Sequence, residues 1–405
     1  MGSSALFRRW SGAAGIYRSL RVSADGNFNY RMISTMNSFE SPLLMLNPKS
    51  DGEGRFVYKF QCLAKNYVYS FFSNNYSNSP SGRRQWNSDE LENEYGISDF
   101  RFVGSSHGWV ALYNERIHDL FLSDPISDRH IKLPPPLHTV KRLILSSSAD
   151  DEKGCLAFMT LRSGDRVAFC SPLLSDEWSL FGGDDKREGE VYDNLVYSRR
   201  HNRVFCITSA LTTTTTKLEV WDVGDESARL DWMMTTADLN HKNLRKLKYI
   251  VSAEQTGELY LVVRHVIIRG GVVEANFTDP ICSKDPYFSN PHYGTVDIDV
   301  YKIDRDRGKV TFMENSLEGL AMFVGINHPF AIIPASASGL KPNSIYFTYD
   351  DRLRPPYGVG EEDNGIFDYQ NRIFDYQTRD FSPFRNPYPI QCPIWFSPVN
   401  NFSNA

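Results

Sequence analysis

The stretch GSSHG at residues 104–108 matches Gly-x-Ser-x-Gly, the pattern that surrounds the nucleophilic serine of many hydrolases. That chemistry needs a strand, then a sharp turn that exposes the serine, and then a helix. A strand-like run precedes the motif, but residues 109–113 (WVALY) are strand-like as well, and no suitably placed Asp and His set follows. The pattern therefore indicates a β-turn around Ser106, and we predict no catalytic residue in the chain.

Side chains that could bind a metal are present, but their spacing matches no known site. Asp297, Asp299, Asp304 and Asp306 alternate with other residues, whereas a calcium loop also needs a Gly and a distal Glu at fixed positions. Each carboxylate of residues 304–308 (DRDRG) has an arginine neighbour, which favours a hairpin turn. The nine histidines are scattered, and there is no P-loop or dinucleotide-binding glycine motif. We predict no metal site and no cofactor site.

The cysteines are far apart along the chain and lie mostly in strand-like runs. No two of them form a Cys-x-x-Cys pair. They are therefore expected to be small, buried apolar residues rather than disulfide partners or metal ligands. The six are Cys62, Cys155, Cys170, Cys206, Cys282 and Cys392.

Any site in this chain must be positioned by short strands, and residues 296–351 show this best. A mostly alternating apolar run at residues 298–303 meets a turn at residues 304–308 and returns at residues 310–313. Three further apolar or β-branched runs follow, each bounded by Gly, Pro or Asn; they lie at residues 320–324, 330–333 and 344–349. This is the content of one β-propeller blade and part of the next.

Hairpins of the same design recur along the sequence. Their turn residues are roughly 45–50 positions apart, as in propeller repeats, apart from a gap of about 80 before Asp304 that we interpret as two units. The sequence therefore predicts an all-β fold, a single β-propeller of about seven four-stranded blades (six to eight) over residues 41–400. The earlier turns follow strand-like runs at residues 67–72, 120–124, 167–172 and 218–222.

The two ends of the predicted propeller should meet. Residues 41–46 (SPLLML) are the first expected strand and residues 391–398 (QCPIWFSP) the last. Because an open ring would leave two sheet edges unpaired, we predict that these segments pair and close it. The tandem heptads at residues 366–372 (IFDYQNR) and 373–379 (IFDYQTR) are interpreted as a local duplication that lengthens a strand or loop.

Short motifs along residues 40–400 carry a family resemblance. The ordered set resembles the plant F-box-associated β-propeller family (domain of unknown function 295), in its organelle-directed branch. That resemblance implies a propeller with a protein-interaction role. The motifs are GSSHGWVALY, LFLSDPISDRHIKLPPP, DEWSLF, VYDNLVY, LEVWDV, KYIVSAEQTGELYLVVRH, VDIDVYKIDRDRGKV, AMFVGINHPFAI, KPNSIYFTYDD and IWFSP.

Many members of the family carry an F-box ahead of the propeller, which recruits a ubiquitin-ligase core. Residues 1–40 lack the Leu-Pro opening and the helical Leu/Ile repeat of such a box. Residues 1–24 instead contain four arginines, several serines and no Asp or Glu, with an apolar helical face. This composition predicts a mitochondrial targeting presequence over residues 1–33, with a plastid as the alternative.

Composition limits the remaining function classes. With 41% hydrophobic residues, the 405-residue chain can bury a large core. A net charge of −5 argues against a nucleic-acid partner, and the basic residues 241–248 are expected to be an exposed connection. No apolar run is long enough to span a bilayer.

These observations together predict a non-enzymatic interaction protein of the mitochondrion, monomeric, with a protein partner that the sequence does not identify. The alternative is a substrate receptor of an F-box-type ubiquitin ligase in the cytosol or nucleus.

Overall fold

The fold is described from a computed structural model. The residues described are 18–20, 42–50, 56–62, 67–72, 100–126, 129–151, 154–183, 190–210, 216–224, 227–236, 244–269, 292–334, 339–348, 350, 364–371, 373–378 and 394–397.

All regular secondary structure in those ranges is β-strand, as their β-branched and aromatic content favours. The strands of the first half are β1 (Arg18–Leu20), β2 (Leu43–Ser50), β3 (Phe56–Cys62), β4 (Tyr67–Phe72), β5 (Phe100–Ser106), β6 (Trp109–Asn114), β7 (Asp119–Asp124), β8 (Arg129–Lys132), β9 (Val140–Leu145), β10 (Ala157–Leu161), β11 (Val167–Cys170) and β12 (Ser179–Phe181). Those of the second half are β13 (Glu190–Ser198), β14 (Arg203–Ala210), β15 (Thr216–Val223), β16 (Ala228–Thr236), β17 (Arg245–Ala253), β18 (Glu258–Arg269), β19 (His292–Asp304), β20 (Lys309–Phe312), β21 (Ala321–Val324), β22 (Phe330–Ile332), β23 (Ser344–Phe347), β24 (Asn364–Asp368), β25 (Ile373–Thr378) and β26 (Ile394–Phe396).

The strands group into six blades in the described part of the chain. Four blades are antiparallel meanders of consecutive strands: β5–β8, β9–β12, β13–β16 and β17–β20. These are the second to fifth blades in chain order. The first blade has the order β26-β2-β3-β4, with β1 added in parallel outside β4. The sixth has the order β22-β21-β23-β24-β25 and is joined to β17 through the single parallel pair Ser252–Phe330. The protein is an all-β β-propeller, and six blades lie within the predicted range of six to eight.

The interpretation of the long gap before Asp304 as two units is wrong. Between β16 and the turn at residues 304–308 the structure places one blade, which begins at β17. The extra length belongs to that one blade, because β18 and β19 are 12 and 13 residues long and 22 residues of sequence connect them. Residues 270–291, which connect them, lie outside the described residues.

Neighbouring blades are held together by the two faces of each inner strand. On β9, Leu143 and Leu145 pack into the cluster shared with the β5–β8 blade, while Ile144 packs into the cluster shared with the β13–β16 blade. On β17, Tyr249 likewise packs into one cluster and Ile250 into another, on the opposite face of the strand. Because successive strand residues point to opposite faces, an inner strand that is buried on both faces reads as a continuous apolar run.

The predicted closure of the ring is confirmed. Strand β26 pairs antiparallel with β2, with Leu44 opposite Trp395 and Met45 opposite Ile394. In addition, the indole of Trp395 packs edge-on against the rings of Phe323 and Tyr346 from the sixth blade. The last strand of the chain is therefore the inner strand of the first blade and also touches the blade before it.

The tandem heptads form a hairpin. Strand β24 contains the first three residues of the first copy and β25 the first six of the second, and they pair antiparallel with Phe367 opposite Phe374. The two copies are therefore neighbouring strands in the outer part of one blade, not one extended strand or loop.

Two other expectations concern less regular segments. Residues 245–248 are not an exposed connection, since they open the inner strand β17 and Leu247 is buried; residues 241–243 lie outside the described residues. Of the predicted presequence, only Arg18–Leu20 is described, as the strand beside β4.

Candidate functional site

One end of the propeller gathers the turns that follow the inner strands. The β13–β14 and β17–β18 turns are bonded there, since the backbone N–H of Arg200 donates to Glu254 and its guanidinium donates to the carbonyl of Gln255. Antiparallel alternation places the β5–β6 turn and the β11–β12 connection at the same end. We call this end the turn face.

The centre of the ring is crossed by the loop between β21 and β22, residues 325–329 (GINHP), which we call the axial loop. The backbone N–H of His328 donates to the carbonyl of Ser105 on β5, at 2.9 Å. The carbonyl of Asn327 accepts a hydrogen bond from Arg142 on β9, at 3.4 Å. Every residue of the loop is buried. A loop of the sixth blade is therefore held by the inner strands of two blades across the ring.

A buried ion pair fixes one side of the axial loop. Arg142 and Asp350 are 3.0 Å apart (nitrogen to oxygen) and both are nearly fully buried. The hydroxyl of Tyr249 on β17 donates to the same carboxylate at 2.9 Å. Because a lone charge at such depth would be strongly unfavourable, each member of this cluster requires the others. The cluster joins the third, fifth and sixth blades.

Two histidines meet on the side of the axial loop nearer the turn face. The rings of His107, in the β5–β6 turn, and His328 have centroids 5.7 Å apart, inclined by 53°. The backbone of Tyr197 lies near the His328 ring, and that of Leu145 lies near the His107 ring.

Both imidazoles are neutral near pH 7 because burial disfavours the charged form. Burial lowers the pKa of His328 to about 4. Burial also lowers the pKa of His107 well below its usual value, and the nearby His328 and Arg199 lower it further. The pair therefore offers nitrogen lone pairs rather than positive charge.

A second buried cation ties the fifth blade to the sixth. The guanidinium of Arg264 on β18 lies 4.6 Å above the ring of Phe347 and donates to the carbonyl of Thr348 and to the hydroxyl of Thr295. The next residue, His265, lies 2.8 Å from the carboxylate of Asp299. The contacts of Arg264 with Phe347 and Thr348 hold β23 against β18 and are therefore structural.

Comparison with known proteins identifies the family. The sequence model of the KIB1-4 beta-propeller family matches residues 82–370, well over half of the chain. The chain belongs to the KIB1-4 beta-propeller family. The match supports the wider resemblance to plant F-box-associated β-propellers. No curated protein gives a significant match.

Solved structures show only distant likenesses. A chain of a nidogen/laminin complex is 9% identical, with 66% of this chain and 91% of that chain covered and a TM-score of 0.33. The α-L-arabinofuranosidase PaAbf62A from Podospora anserina is 9% identical, with 74% and 91% covered and a TM-score of 0.33. The Cps50 (Swd1) β-propeller domain of Myceliophteria thermophila is 9% identical, with 81% and 98% covered and a TM-score of 0.28. Scores this low carry no functional argument.

In this member of the KIB1-4 beta-propeller family, the GSSHG stretch is a β-hairpin turn, as predicted. His107 and Gly108 form the turn with positive φ values of 49° and 82°, and strands flank it on both sides. Ser106 is buried, and its Oγ accepts a hydrogen bond from the backbone N–H of Leu145. The strand–turn–helix geometry of a hydrolase nucleophile is therefore not present at this stretch.

The acidic stretch at residues 304–308 is also a hairpin turn, between β19 and β20. The backbone N–H of Arg307 donates to the Asp304 carboxylate, and Arg305 pairs with Asp231 of the neighbouring blade rather than with an adjacent Asp. The described part of the chain brings together no group of three or more His, Cys, Asp or Glu side chains that could hold a metal ion. Nor does any helix there have the length and apolar character to cross a bilayer.

Exposed apolar side chains mark the turn face of this family member. Leu174, in the β11–β12 connection, is 78% exposed, and Ile333, after β22, is 55% exposed. The backbone N–H of Ile333 donates to Gln255 of the β17–β18 turn, which fixes its position at this end. Leu137, also 55% exposed, lies in the β8–β9 connection at the opposite end.

The sequence alone does not indicate the axial cluster, which consists of Arg142, Tyr249, Asp350 and the two histidines around the axial loop. Arg142 lies within an otherwise apolar strand, VKRLIL, and a charge in such a run could have indicated a buried ion pair. Nothing in the spacing of His107 and His328 along the chain indicates that they meet. Only the ring closure, which sets the order of the inner strands, brings them together.

Proposed function

We propose that this protein is a non-enzymatic protein-interaction β-propeller that acts in the mitochondrion and binds a protein partner through its turn face. The observation that carries the proposal is the combination of a rigid, bonded set of turns with exposed leucine and isoleucine side chains on it. Loops held on a rigid scaffold are a common way to present a binding surface.

The scaffold supports this proposal because its centre is filled by its own chain. The axial loop, the Arg142–Asp350 pair and the histidines occupy the region where the inner strands converge. A partner would therefore meet the ends of the blades rather than enter the ring.

The composition of the turn face also supports a protein partner. Leu174 and Ile333 are apolar, while Arg199 and Arg200 are exposed nearby. Exposed apolar groups beside arginine are typical of protein interfaces, in which aromatic, aliphatic and arginine side chains supply most of the binding energy.

The mitochondrial part of the proposal is supported by residues 1–33. The first 24 of these residues contain four arginines and no Asp or Glu, which matches an import presequence. The test is a fluorescent fusion of residues 1–40, expressed in plant cells with a mitochondrial marker. Co-localisation with the marker is expected, whereas fluorescence in the cytosol or nucleus would contradict the location and favour the ubiquitin-ligase receptor.

The partner-binding part is tested by affinity purification of the full chain from those cells. The wild type is compared with a Leu174→Asp/Ile333→Asp variant, and Leu137→Asp on the opposite end is the matched control. Specific co-purifying proteins are expected with the wild type and the control, and their loss with the double variant. Retention of all of them by the double variant would exclude the turn face, and ubiquitin-ligase subunits among them would favour the receptor function.

A further inference from the structure

The turn-face side of the axial loop contains buried polar atoms whose hydrogen bonds are incomplete within the described residues. Nε2 of His328 and the hydroxyl of Ser105 are both inaccessible to solvent and lack a hydrogen-bond partner there. The two residues adjoin, because the His328 backbone N–H donates to the Ser105 carbonyl. Since an unsatisfied polar atom at this depth is unfavourable by about 1–3 kcal/mol, such atoms commonly indicate an ion or water.

Each of the two imidazoles has the backbone neighbour that metal ligands usually have. A histidine that binds a metal commonly has a backbone carbonyl or carboxylate beside its other ring nitrogen. The backbone of Tyr197 lies near the His328 ring, whose Nε2 has no hydrogen-bond partner among the described residues. The backbone of Leu145 lies near the His107 ring.

We propose that His328 and His107 together bind one late first-row transition-metal ion, Zn²⁺ or a copper ion, at the turn-face side of the axial loop. Water would fill the remaining coordination positions, beside the Ser105 hydroxyl.

The spacing of the two rings fits a shared ion. With metal–nitrogen bonds of about 2.0–2.1 Å, two imidazoles on one ion have ring centroids roughly 5–6 Å apart. The observed separation is 5.7 Å. Imidazole nitrogen is a good ligand for zinc and copper, whereas calcium and magnesium prefer oxygen ligands. Two imidazoles therefore favour zinc or copper over calcium or magnesium.

The position of the site gives the ion a structural role. His107 belongs to the β5–β6 turn and His328 to the axial loop, so the ion would cross-link the second blade to the sixth. Because only the folded ring brings the two imidazoles together, binding of the ion there would raise the melting temperature.

The test uses untagged full-length protein, stripped with EDTA, exposed to ZnCl₂ or CuSO₄ and desalted. Stoichiometric retention of one of these ions, measured by mass spectrometry of the metal, and a rise in melting temperature are expected. His328→Gln should abolish both effects. His130→Gln, a histidine of β8 outside the site, is the matched control and should retain both.

Three results would overturn the proposal. They are no retained metal in the wild type, retained metal in His328→Gln, and equal loss in the His130→Gln control. If His328→Gln fails to fold, X-ray absorption of the metal-loaded wild type decides, because it must show scattering from two imidazoles. An X-ray absorption spectrum without that scattering would leave water as the only occupant beside these histidines.

Discussion

Leu44 on β2 lies directly opposite Trp395 on β26, although they come from the two ends of the propeller sequence. Both side chains are almost completely buried. The pair closes the ring, and Trp395 also packs against Phe323 and Tyr346 of the preceding blade. Trp395 therefore contributes both to strand pairing within the first blade and to the packing of that blade against the sixth.

Replacement of Trp395 by alanine should lower the free energy of unfolding by about 3–5 kcal/mol, because it removes a large buried ring and leaves a cavity. Urea denaturation monitored by circular dichroism measures the change. Leu174→Ala, at an exposed position, is the control and should change stability by no more than about 0.5 kcal/mol. If the two variants are equally stable, Trp395 does not close the ring.

The Arg142–Asp350 pair should show strong coupling. Arg142→Met or Asp350→Leu alone leaves one buried charge without its counter-ion and should destabilise the protein by about 3–5 kcal/mol. The double variant removes both charges and should be markedly more stable than the sum of the single effects implies. A double-mutant cycle in urea measures this, and purely additive effects would contradict the buried pair.

Much of the fold follows from the sequence because each strand is short and bounded by turn residues. The strand runs at residues 298–303 and 320–324 lie within or match β19 and β21, and the pairing of the two ends was predicted from the need to avoid free sheet edges. The error lay in counting: the chain length before Asp304 predicts an extra blade, whereas it belongs to the long strands β18 and β19 and the 22 residues between them.

The axial cluster could not be predicted for a different reason. His107 and His328 belong to different blades and come together only when the ring is closed. No local sequence pattern therefore relates them. The tandem heptads show the same limit. Their near-identity indicates duplication, but only the turn at residues 369–371 makes the second copy pair with the first.

Cys170 should be unreactive in the folded protein. Burial raises the pKa of its thiol to about 12, and only the thiolate is nucleophilic. At pH 8 its alkylation by iodoacetamide should therefore be about a thousandfold slower than in the unfolded chain. The rate in the folded protein should keep rising with pH beyond 9, where that of an ordinary thiol levels off. Peptide mass spectrometry measures both rates, and equal labelling in the two states would contradict the burial of Cys170.

Gly104, the first glycine of the GSSHG stretch, is required for packing rather than for chemistry. A Cβ at this position would lie 1.8 Å from the carbonyl oxygen of Leu143 on β9, which is a backbone atom that cannot rotate away. Gly104→Ala should therefore force β5 and β9 apart and lower the free energy of unfolding by about 2–3 kcal/mol.

Gly224→Ala is the matched control for this prediction. Gly224 is exposed, and its nearest contact would be 3.8 Å away, so the added methyl group meets almost nothing. Urea denaturation of both variants isolates the effect of the close approach, because the chemical change is the same in each. Equal stability of the two would mean that β5 and β9 are not packed backbone to backbone. A large difference would show that glycine is required at position 104 by the contact between two blades.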